Sequence, residues 1–119
     1  MQNSPKDLRK KILGRSGEDL TCRYLKKHGY KILFRNYTTP FGEADIVAKQ
    51  KDTVCFVEVK TRNSDEYGLP SEAVTRAKQQ RYRTIAKFYC STLGEEVPIR
   101  YDVAAIYNGE LTYFENAFI

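Results

Sequence analysis

The chain has 119 residues, of which 41% are hydrophobic and 29% charged, with a formal net charge of +5. This length suits one globular domain, and nine Tyr and six Phe argue against disorder. No segment is apolar enough for a membrane-spanning helix, and no apolar stretch of a secretory signal follows the basic start. We therefore expect a cytoplasmic protein with a basic N-terminal arm, residues 1–15, and a single domain, residues 16–119.

The N-terminal arm holds most of the net positive charge. Residues 1–15 contain five Lys or Arg, among them Lys10 and Lys11, against one carboxylate, Asp7. The rest of the chain is nearly balanced. A basic arm of this kind suits phosphate groups such as those of nucleic acids, or is simply a solvated tail.

The few Cys and His residues exclude several kinds of site. Cys22, Cys55 and Cys90 are too far apart in the sequence for a zinc site and are odd in number for a disulfide framework. We expect them to be small hydrophobic residues in a reducing compartment. The lone His28 offers no base for a Ser or Cys nucleophile, which disfavours the usual nucleophilic hydrolases.

Two helices are predicted. Apolar residues at helical spacing predict the first over 16–28, ended by Gly29. The second is predicted from Ser71 to about Thr92, ended by Gly94.

Five strands are predicted, with loops at 38–42 and 62–69. The dipeptide Asn108-Gly109 predicts a tight turn between the last two strands. The order α-β-β-β-α-β-β predicts an α/β fold with a mixed central sheet flanked by helices. The predicted strands are 30–37, 43–49, 53–61, 99–107 and 111–114.

The strand at 53–61 is apolar on both faces, as a central strand should be, except for Glu58 and Lys60. These two residues share one face because they are two positions apart. If Lys51-Asp52 is a two-residue turn, Asp45 lies directly opposite Glu58. Two carboxylates would then stand side by side with a lysine next to them.

A third carboxylate, Glu18, lies on an inward-facing stripe of the first helix. With Lys60, the three acids carry a net charge of −2, and two like charges about 4 Å apart repel by roughly 4 kcal/mol at an effective dielectric constant near 20. Such a cluster holds protons or binds a cation, and oxygen ligands favour Mg²⁺ or Mn²⁺. Alternatively, Glu58 and Lys60 form a strand-end salt bridge, and Glu18 only stabilises the start of its helix.

Several motifs occur in order between residues 16 and 107, namely Gly17-Glu18, GEADIV at 42–47, FVEVKTR at 56–62 and RYDV at 100–103. Together they resemble the YraN-like bacterial family of the PD-(D/E)-x-K nuclease superfamily. The resemblance implies a restriction-endonuclease-like αβββαβ core and a similarity to archaeal Holliday-junction resolvases. Thr21 and Tyr101 depart from the Ala and Phe that are usual in the family.

The resemblance also implies catalytic roles. Asp45, Glu58 and Glu18 would hold Mg²⁺ or Mn²⁺, and Lys60 would serve the attacking water. Glu43 is an accessory ligand or a solvated residue at the strand start. Asp102, also in a strand, is expected to be structural.

Candidate nucleic-acid contacts lie in the arm, after the Glu58 strand and on the second helix. A line of cations on this helix would follow a phosphate backbone, or is only its wet face. Its core-ward stripe includes Lys78 and Tyr82. The candidate contacts are Lys10, Lys11, Arg62, Asn63, Arg76, Arg83 and Lys87.

These observations favour a Mg²⁺-dependent endonuclease acting on DNA, with branched or junction DNA among its substrates. Because one chain has one site, cutting two strands predicts a homodimer. No organic cofactor and no membrane association are expected. The alternatives are a non-catalytic nucleic-acid-binding module that keeps the nuclease fold, and a basic RNA-associated protein.

Overall fold

The computed structural model describes residues 5–62 and 74–118, with side chains from residue 16 onward. All seven predicted elements are present in the predicted order. In the described residues these elements are α1 (Pro5–Lys27), β1 (Lys31–Thr39), β2 (Gly42–Gln50), β3 (Thr53–Arg62), α2 (Arg76–Leu93), β4 (Ile99–Tyr107) and β5 (Glu110–Phe114).

The five strands form one mixed sheet in the order β1-β2-β3-β4-β5. β3 and β4 run parallel and are connected through α2, whereas the other neighbours are antiparallel. β3 is the central strand and is buried from Val54 to Glu58. The predicted α/β fold with a mixed sheet is therefore confirmed.

The two helices pack on opposite faces of the sheet. Because successive side chains of a strand alternate between faces, Cys55 and Val57 of β3 pack in a cluster with α1, whereas Val54 and Phe56 pack in a cluster with α2. Tyr82 is among the largest fully buried side chains and belongs to the α2 cluster. Glu58, which belongs to the candidate site described below, contacts α2.

The helix starts differ from the sequence prediction. α1 begins at Pro5, so residues 5–15 of the predicted arm continue the helix. Proline suits a first helical position because the backbone N–H that it lacks would have no partner within the helix there. α2 begins at Arg76, not near Ser71, because the Thr75 side chain caps the helix by accepting a hydrogen bond from the Lys78 backbone N at 3.1 Å.

The turns follow their sequence signals. Lys51-Asp52 is the two-residue turn that was predicted, with Gln50 paired to Thr53. Asn108 and Gly109 have φ values of 49° and 83°, as a tight turn of the type favoured in hairpins requires.

The end of β3 differs from the sequence prediction. Arg62 is the last residue of this strand and not part of a loop, because pairing of β3 with β4 extends to Tyr107.

Neither helix, over its described residues, is both long and apolar enough to cross a membrane.

Candidate active site

The candidate site lies where β2 and β3 stop pairing. Val47 pairs with Phe56, which confirms the predicted register, but regular pairing ends at Ile46 and Val57. Asp45, the next residue, instead reaches β3 through its side chain, whose Oδ2 accepts a hydrogen bond from the Val59 backbone N at 2.8 Å. The β2–β3 pairing therefore stops beside Asp45, and this place in the sheet is called the opening below.

Glu58 is buried at this opening, with 3% of its side chain exposed. Its Oε1 accepts a hydrogen bond from Lys78 Nζ at 2.6 Å, and its Oε2 accepts one from the Tyr82 hydroxyl, also at 2.6 Å. Lys60 Nζ is farther from Oε1, at 3.8 Å. The cost of burying this carboxylate is therefore offset mainly by Lys78 and Tyr82 of α2, and less by Lys60 of β3.

The Tyr82 hydroxyl connects the two carboxylate residues. It donates to Glu58 and accepts a hydrogen bond from the Asp45 backbone N at 3.3 Å. Burial, followed by the charges of Glu58 and Asp45, raises the pKa of Tyr82 far above its ordinary value. The hydroxyl therefore keeps its proton and remains a donor.

The pKa of Asp45 is changed by burial and by the charges around it. The pKa of Asp45 is raised to about 7, first by burial and then by the Glu58 carboxylate, while the hydrogen bond from Val59 opposes the rise. Glu18 contributes a smaller increase. The charges of Asp45 and Glu58 therefore repel each other, and a bound cation would relieve this repulsion.

Glu18 is held by residues of β1. Its Oε2 lies 3.7 Å from Arg35 Nη2. With its amide nitrogen turned toward the acids, Asn36 donates to Glu18 Oε1 at 3.0 Å and to Glu43 Oε1 at 3.3 Å. Glu18 therefore shares a hydrogen-bond donor with Glu43, and its own contacts are with β1.

The three-carboxylate metal centre expected from the sequence is not formed in the part of the chain that the structure describes. There, no three His, Cys, Asp or Glu side chains stand close enough to hold a metal ion together. The reason is that Glu18 is drawn toward Arg35 and Asn36. Asp45 and Glu58 remain as a pair.

An Asp–Glu pair is a donor set that fits Mg²⁺ or Mn²⁺. Mg²⁺ in proteins is commonly bound by one or two carboxylates, and water and substrate phosphates complete its coordination. Asp45 and Glu58 supply carboxylate oxygens beside one opening of the sheet. The pair fits a hard divalent cation better than zinc, which prefers nitrogen and sulfur ligands.

Gly17 brings α1 close to this end of the sheet. A Cβ at Gly17 would lie 2.5 Å from Thr61 Oγ1 and 3.1 Å from Ile106 Cδ1, so only glycine allows this approach. The buried Thr21 hydroxyl donates to the Gly17 carbonyl oxygen at 2.7 Å, so this polar side chain is satisfied within α1. The close packing of α1 places Glu18 within electrostatic range of Asp45.

Sequence reasoning missed the roles of Lys78 and Tyr82. Both were correctly predicted on the core-ward stripe of α2, but they were not connected to Glu58. A lysine on an otherwise apolar stripe, four residues before a tyrosine, was the available signal, because a buried ammonium needs a carboxylate partner.

The predicted nucleic-acid contacts fall in different surroundings. Arg76 and Lys87 are exposed on α2. Arg83 lies over the Tyr101 ring, 5.7 Å from its centre, and lines a groove of about 600 Å³ between α2 and β4. Arg62 is half-buried at the end of β3. Asn63 and the side chains of Lys10 and Lys11 lie outside the described residues.

Asp102 belongs to a separate network. It is fully buried, and its oxygens accept hydrogen bonds from Arg100, the Tyr113 hydroxyl and the Asn116 backbone N. These contacts tie β4 to β5 and to the segment after it, as a structural role requires. Asp102 is not one of the carboxylates at the opening.

Two of the three cysteines are buried, as the sequence predicted. Burial raises the pKa of the Cys22 thiol and raises that of Cys55 to about 12. Cys90 is half-buried, and all three are free thiols. Cys22 and Cys55 therefore remain protonated and pack as small hydrophobic residues.

Comparison with known sequences identifies one family. The model of the "Uncharacterised protein family UPF0102" matches residues 17–106. A UPF0102 protein of Thermodesulfovibrio yellowstonii is 46% identical over 106 residues, covering 89% of this chain and 95% of that protein. A UPF0102 protein of Chlorobium phaeobacteroides is 49% identical over 96 residues, covering 80% and 76%.

Among solved structures, the chain is similar to Hjc, a Holliday junction resolvase from the archaeal hyperthermophile Archaeoglobus fulgidus. The TM-score is 0.54 at 20% sequence identity, and the match covers 82% of this chain and 72% of that one. At this level of identity the likeness concerns the fold, which is that of a resolvase.

Proposed function

The chain belongs to the uncharacterised protein family UPF0102, and we propose that it is a divalent-metal-dependent endonuclease that hydrolyses phosphodiester bonds of DNA, including branched or junction DNA. The observation that carries the proposal is the Asp45–Glu58 pair at the opening between β2 and β3, with two lysines beside Glu58. The resolvase-like fold is a second support, because Hjc is a Holliday junction resolvase.

In this proposal Asp45 and Glu58 hold Mg²⁺ or Mn²⁺. When bound, the metal would polarise a phosphoryl oxygen and lower the pKa of a water molecule. Lys60, 28% exposed, has its ammonium 3.8 Å from Glu58 and would orient the attacking water or stabilise developing negative charge. Tyr82 keeps Glu58 in place through its hydrogen bond.

Glu18 and Glu43 have an outer role in this proposal. Asn36 connects the two carboxylates, and Glu18 acts on Asp45 through its charge. Additional negative charge near Asp45 strengthens the attraction of the opening for a divalent cation. We expect their removal to weaken metal binding less than removal of Asp45 or Glu58.

The surface of α2 supports DNA as the substrate. All residues of this helix are described, and it carries five Lys or Arg and no carboxylate. Arg76 and Lys87 are exposed and suited to phosphate contacts. Arg62, Asn63, Arg83, Lys10 and Lys11 remain proposed contacts. A homodimer, which would supply a second site for the second strand, is also part of the proposal.

The direct test is cleavage of labelled duplex, flap and four-way-junction DNA, with Mg²⁺, with Mn²⁺ and with EDTA. We expect metal-dependent products from the wild-type chain, none with EDTA, and none from Lys60→Ala or Asp45→Asn. Light scattering of the DNA complex tests the dimer. Cleavage that persists in both variants would exclude this site as the source of activity.

One observation favours a second function, a nucleic-acid-binding module without catalysis. Lys78 and Tyr82 already compensate the charge of Glu58 in the absence of a metal. The pair would then be structural, and α2 would bind DNA or RNA. DNA binding by the wild-type chain that survives Lys60→Ala and Asp45→Asn, with no cleavage under any metal condition, would establish this alternative.

A further inference from the structure

We propose that Lys78 is a built-in counter-ion of Glu58 that a divalent metal has to displace, so that Lys78 sets the metal affinity of the site. The inference rests on the proposed function, because it requires that Asp45 and Glu58 bind a metal ion. It concerns a residue of α2, which approaches the opening from outside the two strands that carry those acids.

The first support is the contact itself. Lys78 Nζ lies 2.6 Å from Glu58 Oε1, whereas Lys60 Nζ lies 3.8 Å from the same oxygen. The second oxygen of Glu58 is taken by the Tyr82 hydroxyl at 2.6 Å. An ammonium in hydrogen-bond contact with Oε1 occupies a position from which a cation bound to that oxygen would repel it.

The position of Lys78 in its helix is the second support. Lys78 lies in the first turn of α2, because its backbone N donates to the capping side chain of Thr75. A cation in a first turn is disfavoured by the helix dipole, and this turn contains no acidic residue to offset it. The stability of α2 therefore does not explain a lysine here, whereas contact with Glu58 does.

The third support is that the Lys78 ammonium can move away from Glu58, whereas the Tyr82 hydroxyl cannot. The Lys78 side chain is 32% exposed and has a flexible four-carbon stem, so its ammonium can rotate into solvent. Tyr82 is completely buried. Displacement of Lys78 would free Oε1 for a metal, while the hydroxyl of Tyr82 keeps Glu58 in its orientation.

The charges of the site lead to the same conclusion. When both acids are ionised, Asp45 and Glu58 carry two negative charges, and Lys60 and Lys78 carry two positive ones. A divalent cation added to this balanced group would leave an excess of +2 in a partly buried place. Movement of the Lys78 ammonium into water reduces that excess, and the phosphates of a DNA substrate would offset the remainder.

The test is a calorimetric titration of the full chain with Mn²⁺, without DNA. We compare wild type with Lys78→Met, which removes the charge and keeps an apolar stem, and with Lys49→Met, which removes an exposed charge farther along β2. We expect Lys78→Met to bind Mn²⁺ about tenfold tighter or more, because no ammonium competes for Glu58. Lys49→Met should change the affinity by less than about twofold.

A second variant, Lys78→Gln, guards against misfolding because its amide can still donate to Glu58; thermal unfolding in EDTA identifies the folded variants. We expect its Mn²⁺ affinity to rise as well. The direction of the change in Mn²⁺ affinity distinguishes the two roles, since a merely structural role for Lys78 predicts weaker Mn²⁺ binding when this lysine is replaced. If folded Lys78 variants bind Mn²⁺ no more tightly than wild type, the inference is wrong and the proposed function stands. If neither wild type nor the folded Lys78 variants bind Mn²⁺, both are wrong.

Discussion

A single buried hydroxyl determines how the two central carboxylate residues are held. The Tyr82 hydroxyl donates to Glu58 Oε2 and accepts from the Asp45 backbone N. Asp45 in turn accepts from the Val59 backbone N, which spans the gap between β2 and β3. At the residue scale, the site is thus a short chain of hydrogen bonds that links Glu58, Tyr82, Asp45 and Val59.

Tyr82→Phe tests this chain of hydrogen bonds. Loss of the hydroxyl leaves Glu58 Oε2 and the Asp45 backbone N without that partner, so we expect the free energy of unfolding to fall by about 1–3 kcal/mol. Urea denaturation measures the change. Tyr107→Phe, at an exposed position, is the matched control and should change stability by less than about 0.5 kcal/mol. Equal losses in the two variants would contradict the role of the hydroxyl.

Asp45→Asn tests the raised pKa of Asp45. In the folded chain this pKa is about 7, against an ordinary value of 3.8. The folded state therefore binds more protons than the unfolded state between these values, and stability falls as the pH rises through that window. The slope contributed by this group is at most about 1.4 kcal/mol for each pH unit.

The measurement is urea denaturation from pH 4 to pH 8 in EDTA. Asp45→Asn should lose this part of the pH dependence and be more stable than wild type above pH 7, since its amide oxygen can still accept from Val59. Asp52→Asn, in the exposed turn, should keep the wild-type slope. A wild-type slope in Asp45→Asn would show that another group is responsible.

At the scale of secondary-structure elements, the site is assembled from both faces of one sheet. β2 and β3 supply Asp45, Glu58 and Lys60 where their pairing ends. α2 brings Lys78 and Tyr82 from one face, and α1 brings Glu18 from the other. The approach of α1 is possible because Gly17 packs against Thr61 and Ile106 without a Cβ.

Gly17→Ala tests this packing. Alanine is favoured over glycine within helices by roughly 1 kcal/mol, so an open position would gain stability. Here we expect a net loss of about 1–3 kcal/mol in urea denaturation, because the new Cβ clashes with Thr61 and Ile106. Ser16→Ala, at the exposed neighbouring position, should show no such loss.

A double variant locates the clash. Thr61 Oγ1 has no hydrogen-bond partner among the described residues, so Thr61→Ala removes no such bond there. We expect Thr61→Ala to restore part of the stability lost in Gly17→Ala. Additive losses in the double variant would show that α1 does not contact β3 through this pair.

At the scale of the whole molecule, the charge of α2 is of one sign. α2 carries five cations and no carboxylate over its fully described length, and one of these cations, Lys78, contacts Glu58. Exposed cations of this helix, such as Arg76 and Lys87, form a surface suited to phosphates. The sequence pI near 9.1 is consistent with a polyanionic partner.

Arg76→Gln combined with Lys87→Gln tests α2 as a phosphate-binding surface. Because each phosphate contact releases a counter-ion, we expect the slope of log K for DNA binding against log salt to fall by about 2. Fluorescence anisotropy over a range of salt concentrations measures the slope. Lys26→Gln with Lys27→Gln, in the last turn of α1, is the control with the same change of charge and should leave the slope unchanged.

The sequence by itself determined the order of the elements, the turns and the β2–β3 register. These features depend on local rules: periodicity decides helix or strand, Lys51-Asp52 and Asn108-Gly109 set the hairpins, and a register error of one residue would expose the buried face. The same rules placed Asp45, Glu58 and Lys60 near one another. These rules did not predict that the pairing ends at Ile46, next to Asp45, nor where the two helices begin.

The tertiary structure alone decided the partners of these acids. Periodicity assigned Lys78 and Tyr82 to the inner face of α2, and Glu18 to the inner face of α1. It did not identify the residues that these side chains contact. Which carboxylate each side chain meets depends on how closely a helix packs on the sheet and how far it is shifted along it. Contacts between residues distant in sequence set that packing, and no local pattern encodes it. The hydrogen bond of Lys78 to Glu58 and that of Asn36 to Glu18 therefore could not be predicted from the sequence.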